Sequence, residues 1–348
     1  MTNTNGADVF DRPEIFLTLG LALIKQNKGA AVEDLIADTL SRHPGDPLYE
    51  HIAQMIRTSK VPVWHAAMLH DNRRNAAYRM ALAAAAPGKV VLDIGTGSGL
   101  LAMIAARAGA ERVVACEANP VVAEAARRIV AANGLDHIIT VHACHSSKLE
   151  RSAIADAGAD LVVSEIFAAD LVSEGVLAAL AHARAELAAP GAQFLPEAAC
   201  LRVALAECTT LRQAPKIVEG FDLGQFESLY RQRGFAENKG RDIILRSDVA
   251  DLARLDWTAS EPVPVTGLAC TEVIATGGTA NVVLQWLKIE FGNGIIYENP
   301  PGAGEAEHWE PILWKLRESI ATRSGEHHAI NAFHHLDALA VWAGASHR

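Results

Sequence analysis

Between about residues 62 and 193, short β-branched runs alternate with alanine-rich runs, and this alternation limits the possible folds more than any other feature. Residues 90–92 and 113–116 are typical of strands, whereas 100–108 and 121–133 are typical of helices. Strands that alternate with helices form a parallel sheet covered by helices on both faces. We therefore predict a doubly wound α/β domain in this part of the chain.

The residues on either side of this stretch follow other patterns. Apolar runs at 17–24 and 35–40 predict helices before it. After Gly191, β-rich runs are separated by Gly, Pro and Asn, and this pattern indicates an antiparallel barrel or sandwich. A Gly-Asn-Gly turn at 292–294 predicts a β-hairpin. We also expect a helical insertion at 222–232 and a helix at 328–343.

Charge and cysteine content exclude several classes of function. The 348-residue chain has a formal net charge of −10, and we expect no direct nucleic-acid partner because a phosphate backbone needs a basic face. Five cysteines without a C-x-x-C pair indicate neither a disulfide framework nor a zinc knuckle, and they favour a reducing compartment. The polar start of the chain and the lack of a membrane-length apolar run predict a cytoplasmic protein without a membrane partner.

Four histidines near the end of the chain form two pairs seven positions apart, at His327, His328, His334 and His335. On the helix that we predict over residues 328–343, two of them would share a face. Histidines near the end of a chain are more often solvated than metal ligands, so solvated side chains are a better interpretation than a metal site. We predict no metal.

A glycine-rich motif follows the first predicted strand and begins a helix: Asp93-Ile94-Gly95-Thr96-Gly97-Ser98-Gly99. Such glycines permit positive φ and close approach of a ligand, and nicotinamide, flavin and S-adenosylmethionine proteins all use variants of the motif. Asp93 would repel a pyrophosphate but suits the cationic end of S-adenosylmethionine. Glu117, at the end of the next strand, can accept hydrogen bonds from both ribose hydroxyls. The motif therefore favours S-adenosylmethionine over a nicotinamide cofactor.

Glu165 and Glu174 lie nine positions apart in a segment that directly follows the predicted strand at 161–163. Two carboxylates about 4 Å apart repel by roughly 4 kcal/mol at an effective dielectric near 20. Such a pair persists when a cation lies between them or when one carboxyl keeps its proton. The planar fork of a guanidinium matches two carboxylates at once. A guanidinium ligand would therefore fit between the two carboxylates.

Several further motifs resemble those of the protein arginine N-methyltransferases, over roughly residues 60–320. Residues 64–75 resemble the helix that covers the cofactor in this family, Glu165 and Glu174 its paired-glutamate loop, and residues 307–309 its Thr-His-Trp loop. Residues 220–223 and 195–197 match two more of its motifs. Gln285-Trp286 and residues 68–71 are similar to the type III, seventh-member-like branch. The resemblance implies a seven-strand Rossmann-like methyltransferase domain followed by an antiparallel β-barrel.

The resemblance also implies roles for individual residues. Glu165 and Glu174 would bind and activate the guanidinium, with His308 orienting one of them. Arg74 would bind the carboxylate of the cofactor, Glu117 its ribose, and Ser146 and Ser147 would lie at its adenine edge, where a glutamate is common at the position of Ser147. The complete set of implied cofactor residues is His65, Arg74, Asp93, Gly95, Gly97, Gly99, Glu117, Ser146 and Ser147.

On this basis we expect a helical extension over 1–60, an S-adenosylmethionine-binding domain over 61–193 and a β-barrel substrate domain over 194–348. An arm near 209–240 would allow a homodimer. The expected activity is methylation of an arginine guanidinium in a protein or peptide. Ala168 stands where the type III branch tends to carry an acidic residue, which leaves mono- and dimethylation open. A small molecule or another protein nitrogen as acceptor, and a non-catalytic scaffold, stay open as alternatives.

Overall fold

The computed structural model describes residues 12–62, 65–211, 215–229, 233–236, 242–259, 261, 263–302 and 309–344. The chain divides into two compact units that interleave along the sequence. The first unit comprises Met1–Leu69, Tyr78–Glu165 and His182–Leu195, and the second comprises His70–Ala77, Ile166–Ala181 and Pro196–Arg348. The three-part division expected from the sequence stays a prediction.

Three helices open the first unit: α1 (Pro13–Lys25), α2 (Gly29–Arg42) and α3 (Pro47–Thr58). Asp46 caps α3, since its carboxylate accepts a hydrogen bond from the Leu48 N–H at 2.9 Å, and Pro47 occupies the first helical position. The apolar faces of the three helices bury one another together with a residue of α7 (Pro120–Ala132), in a cluster of Phe16, Ile24, Val32, Ile36, Tyr49, Ile52, Ala53, Ile56 and Val121. The N-terminal helices thus pack against the α/β layer.

An ion-pair network ties the same helices to α7. The Glu33 carboxylate on α2 accepts from the Arg57 guanidinium of α3 at 2.7 Å and lies 3.4 Å from that of Arg128 on α7. The hydrogen bond from Arg57, followed by the positive charges of Arg57 and Arg128, lowers the pKa of Glu33 against the opposing effect of burial. Because the Glu33 side chain is only 10% exposed, this network connects three helices at a buried position.

The predicted parallel sheet is confirmed in the first unit. Five parallel strands lie in the order β3-β2-β1-β4-β5, so the sheet described here has five strands where seven were expected. The strands are β1 (Val90–Ile94), β2 (Arg112–Cys116), β3 (Ile139–His142), β4 (Ala159–Ser164) and β5 (Ala188–Leu195). Helix α6 (Leu100–Arg107) packs against β1 and β2, and α7 packs against β3. Burial on both faces explains the nearly continuous apolar character of β1 and β2.

Several shorter elements complete the α/β region. Helices α4 (His65–His70) and α5 (Asn72–Ala85) precede β1, and α8 (Val176–His182) precedes one turn of π-helix at Ala183–Leu187. Short 3₁₀ turns lie at Ser146–Lys148, Arg151–Ala153 and Ser173–Gly175.

The second unit is mainly antiparallel, as expected after Gly191. Seven strands form one sheet: its main path runs β10-β6-β13-β15-β9, with β11 paired to β6 and β14 to β13. A second sheet has the order β12-β16-β17, and β7 and β8 form a separate pair. The strands are β6 (Ala198–Cys208), β7 (Ile217–Val218), β8 (Phe221–Asp222), β9 (Arg233–Phe235), β10 (Ile243–Leu245), β11 (Ala250–Asp256), β12 (Thr266–Ile274), β13 (Gly278–Glu290), β14 (Ile296–Glu298), β15 (Ile312–Thr322), β16 (His327–His335) and β17 (Ala338–Ala343). The hairpin around the Gly-Asn-Gly turn is confirmed by the antiparallel pairing of β13 with β14.

One of the two helices expected in this part of the chain is wrong, and the other is short. Residues 328–343 are not helical, because β16 pairs with β12 on one side and β17 on the other, so cross-strand pairing prevails over the helix-like spacing of apolar residues. The paired histidines of β16 therefore share no helix face. The helical insertion expected at 222–232 is present as a 3₁₀ helix at Gly224–Leu229, and residues 230–232 lie outside the described part of the chain.

Candidate active site

The glycine turn joins β1 to α6 at the carboxyl edge of the parallel sheet. The backbone N–H groups of Gly95 and Thr96 donate to the carbonyl of Cys116 at 2.9 and 3.1 Å, which ties the start of the turn to the end of β2. Gly97 and Gly99 have φ angles of +55° and +81°, a region that side-chain-bearing residues rarely adopt. The turn therefore needs glycine, as the motif predicts.

Asp93 lies on β1 and is completely buried. The Thr96 hydroxyl donates a hydrogen bond of 2.5 Å to one of its carboxylate oxygens. Asp93 thus stabilises the glycine turn from beneath. Its predicted attraction for a cationic ligand stays a prediction.

Glu117 follows β2 and is fixed by backbone groups. One carboxylate oxygen accepts from the Gly97 N–H at 3.1 Å, and the other accepts from the Asn119 N–H at 2.8 Å. Each oxygen of an ionised carboxylate has two lone pairs, so each can accept one further hydrogen bond. An oriented carboxylate with one such position on each oxygen suits two adjacent ribose hydroxyls.

His65 on α4 lies near the glycine turn. A Cβ built on Gly97 would lie 3.5 Å from the Cε1 atom of the His65 ring. Burial lowers the pKa of His65, and the negative charge of Glu117 opposes that shift. The imidazole is therefore disposed to be neutral near pH 7, and it forms one wall of the space above Gly97.

Ser146 and Ser147, expected at the adenine edge, have different surroundings. Ser146 is buried, and its hydroxyl has no hydrogen-bond partner among the described residues. Ser147 is exposed, and its hydroxyl lies 2.9 Å from Nδ1 of His145. A buried hydroxyl without a protein partner is suited to a polar ligand atom, so Ser146 fits the expectation better than Ser147.

Glu165 follows β4 directly, and both of its carboxylate oxygens are buried. The last residue of β4, Ser164, lies opposite Ile94 in the strand register, and Ile94 precedes Gly95. The Tyr78 hydroxyl donates to the Ser164 carbonyl at 2.8 Å and so holds the end of β4. Glu165 therefore lies at the same edge of the sheet as the glycine turn and Glu117.

The remaining predicted residues belong to the second unit or lie outside the described residues. Glu174 has a φ angle of +74°, which is rare for a residue with a side chain. Arg74 lies in the first turn of α5, where its N–H donates to Asp71 at 2.8 Å and its guanidinium donates to the Asn75 side chain at 2.7 Å. His308 lies outside the described residues, so its role stays a prediction.

Two supporting residues were missed in the sequence. Asp71 is the N-cap of α5, and its second oxygen accepts from the Tyr297 hydroxyl at 2.7 Å. An aspartate just before a helix is a recognisable cap signal, whereas no sequence signal marks Tyr297 as its partner. Trp309, which we expected to be part of the closing loop, is buried and donates from its indole N–H to the Phe167 carbonyl at 2.9 Å.

The first unit therefore collects His65, Asp93, Gly95, Gly97, Gly99, Glu117, Ser146 and Glu165 at or near the carboxyl ends of its parallel strands, which is where α/β sheets bind ligands. The oriented carboxylate, the glycine turn and the buried, unbonded hydroxyl fit S-adenosylmethionine. Arg74 and Glu174 belong to the second unit, and their participation stays a prediction.

The described residues include no group of three or more His, Cys, Asp or Glu side chains arranged to hold a metal ion. None of the helices in the described ranges is both long enough and apolar enough to cross a membrane.

The chain is similar to known methyltransferases. Residues 79–195 match the family model for ribosomal protein L11 methyltransferase (PrmA). An arginine N(omega)-methyltransferase of Streptomyces achromogenes subsp. streptozoticus is 35% identical, in an alignment that covers 88% of this chain and 89% of that protein. Protein arginine N-methyltransferase 7 of Xenopus laevis is 29% identical over 85% of this chain, which spans about half (47%) of that longer relative.

The chain is also similar in fold to solved structures of arginine methyltransferases. The protein in a structure described as the Trypanosoma brucei PRMT1 enzyme–prozyme heterotetrameric complex with AdoHcy has a TM-score of 0.69 and 25% identity, covering 77% of this chain and 86% of its own. Protein arginine methyltransferase 10 of Arabidopsis thaliana has a TM-score of 0.65 at 19% identity, over 79% of this chain and 89% of its own, which shows a shared fold.

The glycine turn, the oriented Glu117 and the buried Glu165 thus occur in a chain whose similarity to an arginine methyltransferase extends over nearly the full length of both proteins. The relatives named protein arginine N-methyltransferase 7 agree with the type III branch expected from the sequence. The chain belongs to the protein arginine N-methyltransferase family and is an S-adenosylmethionine-dependent arginine methyltransferase.

Proposed function

We propose that this protein methylates the guanidinium of arginine in a protein or peptide, and that Glu165 and Glu174 bind and activate that guanidinium. The observation that carries the proposal is the position of Glu165. Its buried carboxylate follows β4 at the sheet edge where Gly95 and Glu117 follow β1 and β2. A buried carboxylate beside a cofactor turn is a suitable partner for a planar cation.

Glu174 supplies the second carboxylate in this proposal. The support is its nine-residue spacing from Glu165 in the chain and its left-handed backbone conformation. Non-glycine residues in this conformation cluster at functional sites, because the surroundings must hold them there. Arg74 is assigned to the cofactor carboxylate on the family resemblance.

Methyl transfer to a guanidinium requires catalysis, because the group has a pKa above about 12 and its nitrogens are poor nucleophiles. S-adenosylmethionine supplies a methyl group on a sulfonium when it is bound. Glu165 and Glu174 draw the positive charge of the guanidinium away from the attacking nitrogen and fix that nitrogen in line with the methyl carbon. Transfer would break the bond between the methyl carbon and the sulfonium sulfur, and its electron pair would stay on the sulfur. As the N–C bond forms, the attacking nitrogen would lose a proton to a glutamate carboxylate or His308.

Glu165→Gln tests this assignment, since glutamine keeps the size of the side chain but removes its charge. We expect turnover to fall by about 10³-fold or more, the range typical of a lost electrostatic group in a preorganised site. We expect the affinity for S-adenosylhomocysteine in calorimetry to stay within about two-fold. Glu111→Gln is the matched control, because Glu111 is an exposed acid in the same unit.

Retained turnover in Glu165→Gln would contradict the assigned role. Failure of the wild-type protein to bind S-adenosylhomocysteine would instead favour a non-catalytic scaffold.

Free arginine is a second candidate acceptor, and a specific observation favours it. The relative that aligns over 89% of its length is named as an arginine methyltransferase, whereas the Xenopus relative named for protein arginine is about twice as long as the matched region. A transfer assay with labelled methyl groups should compare an arginine- and glycine-rich peptide with free L-arginine. Label in the peptide supports our proposal. Label only in the amino acid refutes protein methylation and leaves the chemistry of Glu165 in place.

We further propose that the protein forms a homodimer through the arm near residues 209–240. Within the described part of this arm, apolar side chains are exposed around the β7–β8 pair, with Phe221 72% exposed, and Ile217 and Leu229 are similarly open. Exposed apolar clusters of this kind are typical of association surfaces. The Trypanosoma protein, which has a similar fold, is described as part of a heterotetrameric complex.

Light scattering during gel filtration tests the dimer. We expect a dimer that Phe221→Asp dissociates, with Lys216→Asp as a control for added charge at an exposed neighbouring position. A strict monomer with full activity would refute the dimer.

A cytoplasmic location and the lack of a nucleic-acid partner also stay predictions. The five free cysteines and the net charge of −10 support them.

A further inference from the structure

We propose that Asp170 is a positioning residue that holds the turn carrying Glu174, through a charge pair with Arg233. The inference rests on the proposed role of Glu174 and deepens it. The Asp170 side chain is only 4% exposed, and one of its oxygens accepts from the Arg233 guanidinium at 2.6 Å. All the residues involved belong to the second unit.

Asp170 bridges the turn itself. One carboxylate oxygen accepts from the Ser173 N–H at 3.0 Å, and the other accepts from the Ser173 hydroxyl at 2.6 Å. The residue after Asp170 is Leu171 and the residue after Ser173 is Glu174, and these two residues have φ angles of +70° and +74°. Because side-chain-bearing residues stay in this conformation only when their surroundings hold them, the contacts of Asp170 determine where Glu174 leaves the turn.

A second anchor fixes the residue before Asp170. The Gln285 amide on β13 donates to the Ala169 carbonyl at 2.8 Å. The other end of that amide accepts from the Trp314 indole on β15 at 2.9 Å. Gln285 is completely buried, so both groups of its amide are oriented by these contacts.

The two anchors meet at Trp314. Arg233 on β9 lies directly opposite Trp314 in the strand register, and its guanidinium carbon lies 5.9 Å from the centre of the indole ring. Three consecutive strands, β13, β15 and β9, therefore hold Ala169 and Asp170 from two directions. Because each of these side chains is held by the next, the sheet fixes the position of the turn.

Asp170→Asn breaks this arrangement with little change in size. The amide oxygen of asparagine can replace one of the two carboxylate oxygens as an acceptor. The amide nitrogen that replaces the other oxygen cannot accept from Ser173 or Arg233. A misplacement of about 1 Å can reduce the rate by about 100-fold, and we expect kcat/KM for the methyl acceptor to fall by about 10- to 100-fold. The affinity for S-adenosylhomocysteine should stay within about two-fold, because the residues that bind it in the first unit are unchanged.

The experiment compares wild type, Asp170→Asn, Arg233→Gln and the double variant. Steady-state kinetics should use an arginine- and glycine-rich peptide and free L-arginine, with calorimetry for S-adenosylhomocysteine and thermal melts for folding. The double variant should lose no more than the more severe single variant, because both remove the same pair. Glu207→Gln is the matched control: it breaks an ion pair with Arg246 in the same unit but away from the turn, and it should keep kcat/KM.

Full acceptor kcat/KM in Asp170→Asn would overturn the inference, and so would an equal loss of cofactor affinity, which would indicate a general structural role. If Asp170→Asn fails to fold, Arg233→Gln tests the inference instead, because Arg233 is 43% exposed and its replacement should leave the fold intact. Unchanged acceptor kinetics in Arg233→Gln would then overturn the inference. Glu174→Gln distinguishes a failure of this inference from a failure of the proposed function. If Glu174→Gln is inactive while Asp170→Asn is active, only the role of Asp170 is refuted. If Glu174→Gln is active, the proposed role of Glu174 is refuted as well.

Discussion

Gly29, the first residue of α2, is expected to tolerate no side chain, so Gly29→Ala is an informative perturbation. A Cβ built on Gly29 would lie 1.9 Å from the carbonyl oxygen of Pro120, the first residue of α7. A backbone oxygen cannot rotate away as the end of a flexible side chain can. The substitution must therefore separate α2 from α7 by about 1 Å or more to restore normal van der Waals contact.

Two effects oppose each other in this variant. Alanine is favoured over glycine by up to about 1 kcal/mol within a helix, and by less at its first position. Overpacking against a rigid wall costs about 1–3 kcal/mol, and the obstacle here is backbone. We therefore expect a net loss of about 1–2 kcal/mol in unfolding free energy, which lowers Tm by about 1–3 °C for a chain of this length.

The same displacement should reach the cofactor site. Pro120 follows Asn119, whose N–H donates to Glu117 at 2.8 Å, and the side chain of Asn119 donates to the Lys60 carbonyl at 3.0 Å. Weakening one such hydrogen bond costs about 1 kcal/mol, so the affinity for S-adenosylhomocysteine should fall about five-fold. Functional loss is thus expected at a position remote in sequence from every predicted site residue.

Thermal melts followed by circular dichroism and calorimetry with S-adenosylhomocysteine provide the measurements. Gly344→Ala is the control, because the nearest atom to its added Cβ would be 3.8 Å away. An unchanged or higher Tm in Gly29→Ala, with unchanged affinity, would show that α2 and α7 do not pack at this distance.

Two further substitutions test the network and the strand end described above. Glu33→Gln should lower the unfolding free energy by about 1–3 kcal/mol near pH 7, since it removes charged hydrogen bonds from Arg57. Because the pKa of Glu33 is lowered in the folded state, its contribution is present above the unfolded value of 4.5 and is lost as pH falls through the lower folded value. Urea titrations should therefore show wild type and variant converging in acid, and a difference independent of pH would contradict this. Tyr78→Phe keeps the packing but removes the donor to the Ser164 carbonyl, so kcat should fall about ten-fold while S-adenosylhomocysteine still binds; kinetics equal to wild type would show that the end of β4 needs no such support.

The success of the sequence interpretation depended on how local each signal was. The glycine motif and the Gly-Asn-Gly turn act through their own neighbours in the chain, and the structure confirms a turn and a hairpin there. Residues 328–343 contain helix-compatible spacing, but β16 pairs with β12, about 60 residues earlier in the chain, and β17 pairs with β16. Pairing at that separation leaves no local trace in a single sequence.

In the candidate site, too, the residues marked by a local pattern were predicted and those that depend on distant contacts were not. Glu117 and Glu165 were predicted because each follows a recognisable strand, and neighbouring strand ends meet at one edge of a parallel sheet. Tyr78, Asp170 and Arg233 were not predicted, because their contacts depend on partners as far as 86 residues away. The role of Ser147 stays a prediction, and its contact with His145 is a short-range one that only the structure shows.

By itself, the sequence determined the alternation of strands and helices in the α/β part, the glycine turn and the acidic residues that follow the strands, since these depend on periodicity, backbone freedom and charge over short stretches. Only the tertiary structure decided which carboxylates are buried, which buried hydroxyl has no hydrogen-bond partner among the described residues, and how three antiparallel strands hold the turn before Glu174. The physical reason is that burial and hydrogen-bond pairing belong to residues brought together from distant parts of the chain, and their energies are not encoded in any one segment.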